Sequence, residues 1–243
     1  MEQNLRKEPL GKGFFVYVTD HHTFGTDAVL LSSFANARKK DKMVDLGTGC
    51  GIIPLLMLRE GNLQGAVGID ISDEATTIAT KTVRDQSIDN FKIVNSNLTD
   101  LKGKVEFGCH TLVTCNPPYK APNGGLKNPD RVLEVARHET ECTLEDIVSV
   151  GAKLLQTGGR LCMCHRPERL AELMGLMTKY KVEPKKLRLV AQRKGQEPWL
   201  VLVEGKRSAN IGLRIEPTLY IEENGNLSQE MIEIYGSYKE AYL

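Results

Sequence analysis

Long apolar runs are missing from this chain of 243 residues. No stretch approaches the roughly 18 consecutive apolar residues of a membrane-spanning helix. The opening residues Met1–Lys7 carry no apolar segment of the secretion-signal kind. A cytoplasmic protein without a membrane partner is expected. Excess charge is missing as well: 32 Lys and Arg stand against 31 Asp and Glu, a net charge of +1. That balance excludes a strongly basic tail but leaves room for a local basic face. The six cysteines form no C-x-x-C pair, and no histidine sits at metal-ligand spacing from two of them, so no metal site is expected. Cys115, Cys162 and Cys164 lie in apolar runs and read as buried thiols of a reducing compartment. Repeats, low-complexity tracts and long flexible linkers are absent too, which suits one α/β domain with a small extension at each end.

What is present is an alternation of strands and helices. Lys42–Leu46 reads as a strand running into glycines, Ile52–Arg59 as a helix and Gly65–Ile69 as a second strand. Ser72 is placed to cap a helix whose apolar face carries Ala75, Ile78, Ala79 and Val83. Phe91–Val94 and Thr111–Thr114 read as strands. Thr143-Leu144-Glu145-Asp146 resembles a capping box, opening a helix expected to stop at Gly158-Gly159. Arg160–His165 is a strand, followed by a helix from Pro167 to about Tyr180. Leu187–Ala191 and Trp199–Glu204 are expected to form an antiparallel edge hairpin. The pattern predicts a largely parallel sheet covered on both faces. Ahead of it, residues 13–37 suggest a strand pair around Phe14–Thr19 and a helix from Thr26 or Asp27 to Ala37. Behind it, residues 213–243 suggest a strand pair at Glu222-Glu223-Asn224-Gly225 and a helix with Met231, Ile232 and Ile234. The expected units are therefore 1–40, a core of 41–207, and 208–243. His21-His22 can touch a phosphate or sit in a turn, and the turn is the expected reading.

The first core strand ends in Asp45-Leu46-Gly47-Thr48-Gly49-Cys50-Gly51. Glycines at a strand-to-helix turn let the backbone bend sharply and let a ligand approach the main chain at a helix N-terminus. A dinucleotide fold wants G-x-G-x-x-G there. This chain has Ile52 where the third glycine would fall and spaces its glycines G-x-G-x-G, a spacing for a nucleotide ligand with no pyrophosphate to cradle. Asp70 ends the second strand, 23 residues after Gly47. An acid there can accept from both ribose hydroxyls, or it can cap the following turn. Asn97 follows the third strand, where its side-chain oxygen can accept from an adenine amino group between Ile71 and Leu98. A turn-forming Asn is the competing reading.

The fourth strand ends in Asn116-Pro117-Pro118-Tyr119. Two prolines fix the backbone, remove two N–H donors and leave carbonyls facing a cleft. Asn116 adds an amide oxygen and Tyr119 a flat ring. Such an acceptor-rich slot suits a planar NH2 group, whose lone pair is delocalised and whose nitrogen gains positive charge during transfer. The slot would hold that nitrogen about 3–3.5 Å from a reactive methyl group.

Together, Asp45–Gly51, Asp70 and Asn116–Tyr119 resemble class I amino-methyltransferases. Phe24-Gly25-Thr26-Asp27-Ala28-Val29-Leu30-Leu31 and Ala136-Arg137-His138-Glu139 are similar to the bacterial tRNA1(Val) adenine-37 N6-methyltransferase family. Arg160–Leu170 and Leu219–Tyr235 are similar to its Gram-positive branch. The resemblance implies a Rossmann-like, seven-stranded class I methyltransferase sheet with helices on both faces. It also implies S-adenosylmethionine as cofactor and methylation of the adenine beside the anticodon. The cofactor set it implies is Thr26, Asp45, Gly47, Gly49, Asp70, Ile71, Asn97, Leu98 and Asn116, and the catalytic set is Asn116, Pro117, Pro118 and Tyr119. One departure is Asn97, where the family commonly has Asp: an acceptor survives and a charge does not. The same tetrapeptide also serves enzymes that methylate a glutamine amide of a release factor. Those carry a helical domain ahead of the core, for which about 40 residues are too few. The motifs are also compatible with methylation of guanine N2 in ribosomal RNA or of adenine in DNA, and with a non-catalytic RNA-binding module. From Arg160 to Arg207 there are about twelve Lys/Arg against about five Asp/Glu. This stretch is expected to touch tRNA phosphates through Arg166, Arg169, Lys185, Lys186, Arg193 and Lys194, with Lys120 and Arg137 nearer the base.

Overall fold

The computed structural model describes residues 4–117 and 142–236. The chain opens with an antiparallel pair, β1 (Arg6–Gly11) and β2 (Phe14–Val18). The sequence predicts a strand pair around Phe14–Thr19 alone, so its first member lies upstream of the predicted segment. Lys12 and Gly13, both at positive φ, make the tight turn. The pair is pinned to the core by Gln86, whose amide accepts from Phe15 N at 2.9 Å and donates to Phe15 O at 2.9 Å. Helix α1 (Thr26–Ala35) follows and ends two residues before the expected Ala37, because Asn36 turns left-handed at φ 44°.

The core then runs β3 (Lys42–Leu46), α2 (Ile52–Arg59), β4 (Gly65–Asp70), α3 (Asp73–Asp85), β5 (Phe91–Asn95) and β6 (His110–Cys115). It resumes with α4 (Leu144–Leu154), β7 (Leu155–His165), a 3-10 turn at Pro167–Arg169, α5 (Leu170–Lys179), β8 (Val182–Ala191) and β9 (Leu200–Arg207). Ser72 caps α3, its hydroxyl accepting from Ala75 N at 3.2 Å. Thr143 and Asp146 form the reciprocal capping box that opens α4.

The seven long strands lie in the order β8-β9-β7-β6-β3-β4-β5, with β9 antiparallel to both neighbours and the rest parallel. Two short strands, β10 (Arg214–Ile215) and β11 (Leu219–Tyr220), pair with β8 and bring the sheet to nine. The expected hairpin at Leu187–Ala191 and Trp199–Glu204 is longer than predicted, and its outer strand is covered by β10 and β11. The tail closes with β12 (Glu222–Glu223), β13 (Asn226–Leu227) and α6 (Gln229–Tyr235). Asn224 and Gly225, at φ 50° and 79°, form the turn between the last two strands.

One boundary differs for a physical reason. The glycines at 158 and 159 suggest a helix end, but α4 stops at Leu154 and β7 begins at once. Leu155 is buried and pairs with His110. Gly158, at φ 80°, belongs to the bulge in this pairing, and a Cβ on Gly159 would sit 2.9 Å from His110 O. The two glycines let β7 approach β6 closely.

The sheet separates two apolar cores by its two-residue alternation. Cys162, Cys164, Leu200 and Leu202 face one side, with Leu30, Leu55 and Ile78. Leu161, Met163, Val201 and Val203 face the other, with Val148 and Leu173. The first core also includes Leu10 and Val16 of the hairpin and Met231 of α6, so the hairpin and α6 pack on the face of the sheet that carries α1–α3. Among the described residues, no helix is long and apolar enough to cross a membrane.

Candidate active site

Gly47, Gly49, Asp70, Ile71, Asn97, Leu98 and Asn116 gather at the carboxyl ends of β3, β4, β5 and β6, the edge where ligands of open α/β sheets bind. Gly47 and Gly49 sit at φ 69° and 56°, and a Cβ on either would meet no atom within 4 Å. Gly51, at φ 84°, differs: a Cβ there would meet the Phe91 ring at 3.3 Å. Two glycines of the loop thus open onto free space and the third packs. Gly51 is also the N-cap of α2 and makes no side-chain cap bond, so the first turn's N–H groups stay directed at that end of the helix.

Asp70, 9% exposed, ties the loop to β4. One carboxylate oxygen accepts from Gly49 N at 2.7 Å and the other from Ser72 N at 3.0 Å. Each oxygen keeps a further lone pair. The turn-capping role is therefore realised, and it does not exhaust the group. Ile71, next in sequence, is 37% exposed, an apolar side chain at the mouth of the loop.

Asp45 lies deeper. It is buried and accepts from Thr48 Oγ1 at 2.8 Å and Thr114 Oγ1 at 2.5 Å. Burial pushes its carboxyl up to about 7, against the opposing effect of the two hydroxyls. Asp45 thereby joins β3, the glycine loop and β6. Its carboxylate accepts from two protein hydroxyls and supports the glycine loop.

Asn97 realises the turn-forming of its two readings. Its Oδ1 accepts from Thr99 N at 2.9 Å and Thr99 Oγ1 at 2.8 Å, closing an Asx turn. Both lone pairs of the oxygen expected to meet an adenine amino group are occupied. Leu98 is half-buried beside it and packs against the α4–α5 core.

Asn116 stands half-buried at the end of β6, and Pro117 is buried behind it. The Asn116 Nδ2 donates to Asp27 Oδ2 at 3.0 Å, and its Oδ1 accepts from the Cys164 thiol at 3.0 Å. The Cys164 thiol is held well above its ordinary range by burial and by the Asp27 charge, so it stays a donor. Asp27 and Cys164 are not among the predicted site residues. Asp27 was within reach, since the Phe24–Leu31 segment contains it. Thr26, its predicted neighbour, bonds Tyr235 Oη at 3.2 Å and so joins α1 to α6. Pro118, Tyr119, Lys120, Arg137 and His138 lie outside the described residues.

The expected RNA-facing residues do not form one surface. Lys186 is a correction: its side chain is only 16% exposed and donates to Phe34 O at 2.9 Å, above the Phe34 ring and beside Glu204. Through β9 it sits level with Cys162, mid-sheet and not at the ligand edge. Lys185 donates to Asn210 O at 3.0 Å on the outer side of β8. Arg166 donates to Trp199 O at 2.8 Å. Arg169 pairs with Glu172 and Arg193 with Glu222. Arg193 and exposed Lys194 follow the end of β8, beyond the level of His165, and thus share the edge of Asn116. Three strand spacings separate β8 from β6, about 14–15 Å. The His21–His22 pair is a turn, with Thr19 N donating to His22 O at 3.1 Å. Among the described residues, no group of three His, Cys, Asp or Glu is placed to hold a metal ion.

A largely parallel sheet of this strand order, a glycine loop after its first core strand and an Asn-Pro at the end of the fourth define a Rossmann-like class I methyltransferase. Residues 15–182 match the methyltransferase small domain, and the chain belongs to that family. The tRNA1(Val) (adenine(37)-N6)-methyltransferase of Parabacteroides distasonis is 27% identical over 207 residues, 82% of this chain and 86% of the relative. That of Porphyromonas gingivalis is 29% identical over 190 residues, 74% and 72% of the two chains. Among solved structures, the Agrobacterium tumefaciens protein Atu636, described as a predicted O-methyltransferase, shares the fold with a TM-score of 0.68 at 19% identity, covering 87% of this chain and 96% of that one. M. jannaschii TYW2, solved in complex with AdoMet, has a TM-score of 0.59 at 10% identity over 85% and 87% of the chains.

Proposed function

We propose that this chain methylates N6 of an adenine in tRNA, adenine 37 beside the anticodon of tRNA1(Val), with S-adenosylmethionine as cofactor and in the cytoplasm. The observation that carries the reading is the junction at the end of β6. There an Asn-Pro step stands beside the open glycine loop of β3, in a chain similar to tRNA adenine methyltransferases over most of their length. Residues 41–207 form the catalytic core in this reading, with 1–40 and 208–243 as extensions packed on it.

The residues present fit the cofactor. Gly47 and Gly49 leave open space where side chains would stand. Asp70 retains lone pairs for ribose hydroxyls, and Ile71 offers an apolar surface for an adenine ring. Asn97 would serve through the turn it builds and through its amide N–H, not through its oxygen. S-adenosylmethionine supplies an electrophilic methyl group when bound. The chain's own task is to present the target nitrogen. An exocyclic NH2 gains positive charge as it reacts, and Asn116 Oδ1 with the Pro117 carbonyl would accept its N–H groups as that charge grows. Tyr119 would stack on the unstacked base, an interaction worth about 1–3 kcal/mol. An adenine in an anticodon loop reaches such a slot at less cost than one in a duplex.

Nucleoside mass spectrometry of tRNA from a deletion strain tests the proposal. N6-methyladenosine should disappear from tRNA1(Val), return with the wild-type chain, and stay absent with Asn116→Ala. An unchanged tRNA together with methylation of a glutamine amide in a peptide would move the function to protein modification.

A further inference from the structure

Asparagine amides have two ends of nearly equal size and opposite hydrogen-bonding character. Only the oxygen end of Asn116 can accept from a target NH2, so an acceptor role requires something to hold that end in place. Two contacts do so. Nδ2 faces a carboxylate, Asp27 Oδ2, at 3.0 Å, and Oδ1 faces the thiol of fully buried Cys164 at 3.0 Å. Swapping the amide ends would set Oδ1 against the Asp27 carboxylate, acceptor against acceptor. Asp27 is itself anchored: its Oδ1 accepts from Ala28 N at 3.0 Å in the first turn of α1, where the helix dipole favours negative charge. Gly25 makes room for this carboxylate, since a Cβ there would lie 2.7 Å from Asp27 Oδ1.

We propose that Asp27 is the positioning residue of the active site, fixing Asn116 by a hydrogen bond so that one lone pair of its Oδ1 is left for the NH2 group being methylated. The proposal rests on the amino-methylation reading above and adds a residue from a separate element, 89 positions upstream of Asn116. A carboxylate on Nδ2 also draws electron density toward Oδ1 and strengthens it as an acceptor when the target nitrogen becomes positive. The Cys164 thiol occupies the other lone pair and limits rotation of the amide.

A double-mutant cycle on the full chain, with unmodified tRNA and saturating S-adenosylmethionine, tests it. Asp27→Ala should lower kcat by about tenfold to a hundredfold, the scale of a misplaced reacting geometry. Cofactor affinity, by calorimetry, should stay within about twofold, since no cofactor contact is assigned to Asp27. In an Asn116→Ala background the same substitution should cost nothing further, because Asp27 acts through Asn116. Asp27→Asn, which keeps an acceptor for Nδ2 without the charge, should retain more turnover than Asp27→Ala. Equal losses in both backgrounds, a loss confined to cofactor binding, or an Asp27→Asn variant no better than Asp27→Ala would overturn the proposal. A readout free of activity separates it from the function. In 15N-labelled protein, the Asn116 side-chain NH2, identified by its disappearance in Asn116→Ala, should exchange slowly, and should exchange fast in Asp27→Ala. If the wild type fails to methylate tRNA yet shows this protection, the adenine reading falls and the positioning role stands. If the protection is absent, the positioning role falls.

Discussion

The two ends of helix α1 use charge in opposite ways. At its C-terminus, Arg160 donates to the carbonyls of Ala35 and Asn36, and Lys186 to that of Phe34. These cations are answered by Asp41, 2.9 Å from Arg160, and Glu204, 3.1 Å from Arg160. Every member of that cluster is at most 16% exposed, and the last carbonyls of the helix are collected with each cation held beside a carboxylate. At the N-terminus, Asp27 and Asn116 form a half-buried pair in which Asn116 Oδ1 keeps one lone pair beyond its bond from Cys164. One end closes the helix against the sheet; the other offers lone pairs at the edge where the glycine loop opens. Stability and reactivity are thus separated along one helix of ten residues.

Substitutions at the two ends should therefore differ in kind. The largest expected effect is Arg160→Met, which strands Asp41 in the interior and leaves Glu204 with Lys186 alone, at 3.9 Å. It should cost about 3–5 kcal/mol and lower the melting temperature by roughly 10 °C or more, as read by calorimetry. A melting temperature close to wild type would mean that the closed end is not what holds α1. Asn116→Ala, at the open end, should reverse the pattern, cutting turnover on the order of a hundredfold while leaving the melting temperature nearly unchanged. If it unfolds the chain instead, the separation of the two ends fails.

Asp70→Ala should fall between these. It removes a carboxylate that orders Gly49 and remains open to a ribose, and cofactor binding should weaken by about 1.5–3 kcal/mol, the worth of a charge-assisted hydrogen bond. Unchanged calorimetric affinity would take Asp70 out of the site.

A subtler contrast concerns pH. The Asp45 carboxyl is raised to about 7 by burial, so the folded chain retains a proton that the unfolded chain gives up at ordinary carboxylate pH. Stability from this group is complete below about pH 4 and is lost as pH rises through about 7. Asp45→Asn removes that dependence, so its melting temperature relative to wild type should rise between pH 5 and pH 8. A constant difference over that range would show that Asp45 is charged throughout. The smallest effect is expected for the Arg193→Ala/Lys194→Ala double variant. It should reduce the salt dependence of tRNA affinity by about 0.7 in log–log slope for each phosphate that is no longer neutralised. Lys185→Ala, toward the opposite end of β8, should leave the slope alone. The reverse outcome would put the RNA across the outer face of the sheet.

Much of the fold is legible in the sequence because it rests on local rules. The strand end at Leu46, the helix Ile52–Arg59, the Ser72 cap and the Thr143 capping box follow from spacing and side-chain chemistry within a few residues. The loop at Gly47–Gly51 and the Asn116-Pro117 step are legible for the same reason. The glycines at 158 and 159 mislead, since a helix stop and a close strand approach leave the same mark in sequence. Lys186 misleads through composition: a lysine in a basic run looks solvent-facing until a helix terminus and Glu204 are brought against it. Asn97 carries two readings, of which its bonds to Thr99 realise the turn-forming one.

The order of elements, the glycine loop and the Asn-Pro step are encoded locally, because each depends on backbone preferences confined to one segment. Tertiary structure alone decided that Asp27, Asn116 and Cys164 meet, and that Arg160 and Lys186 close the far end of the same helix. Those interactions join residues 48 to 152 positions apart. No local preference encodes them; packing α1 across β7 and β9 is what brings their side chains within hydrogen-bonding distance.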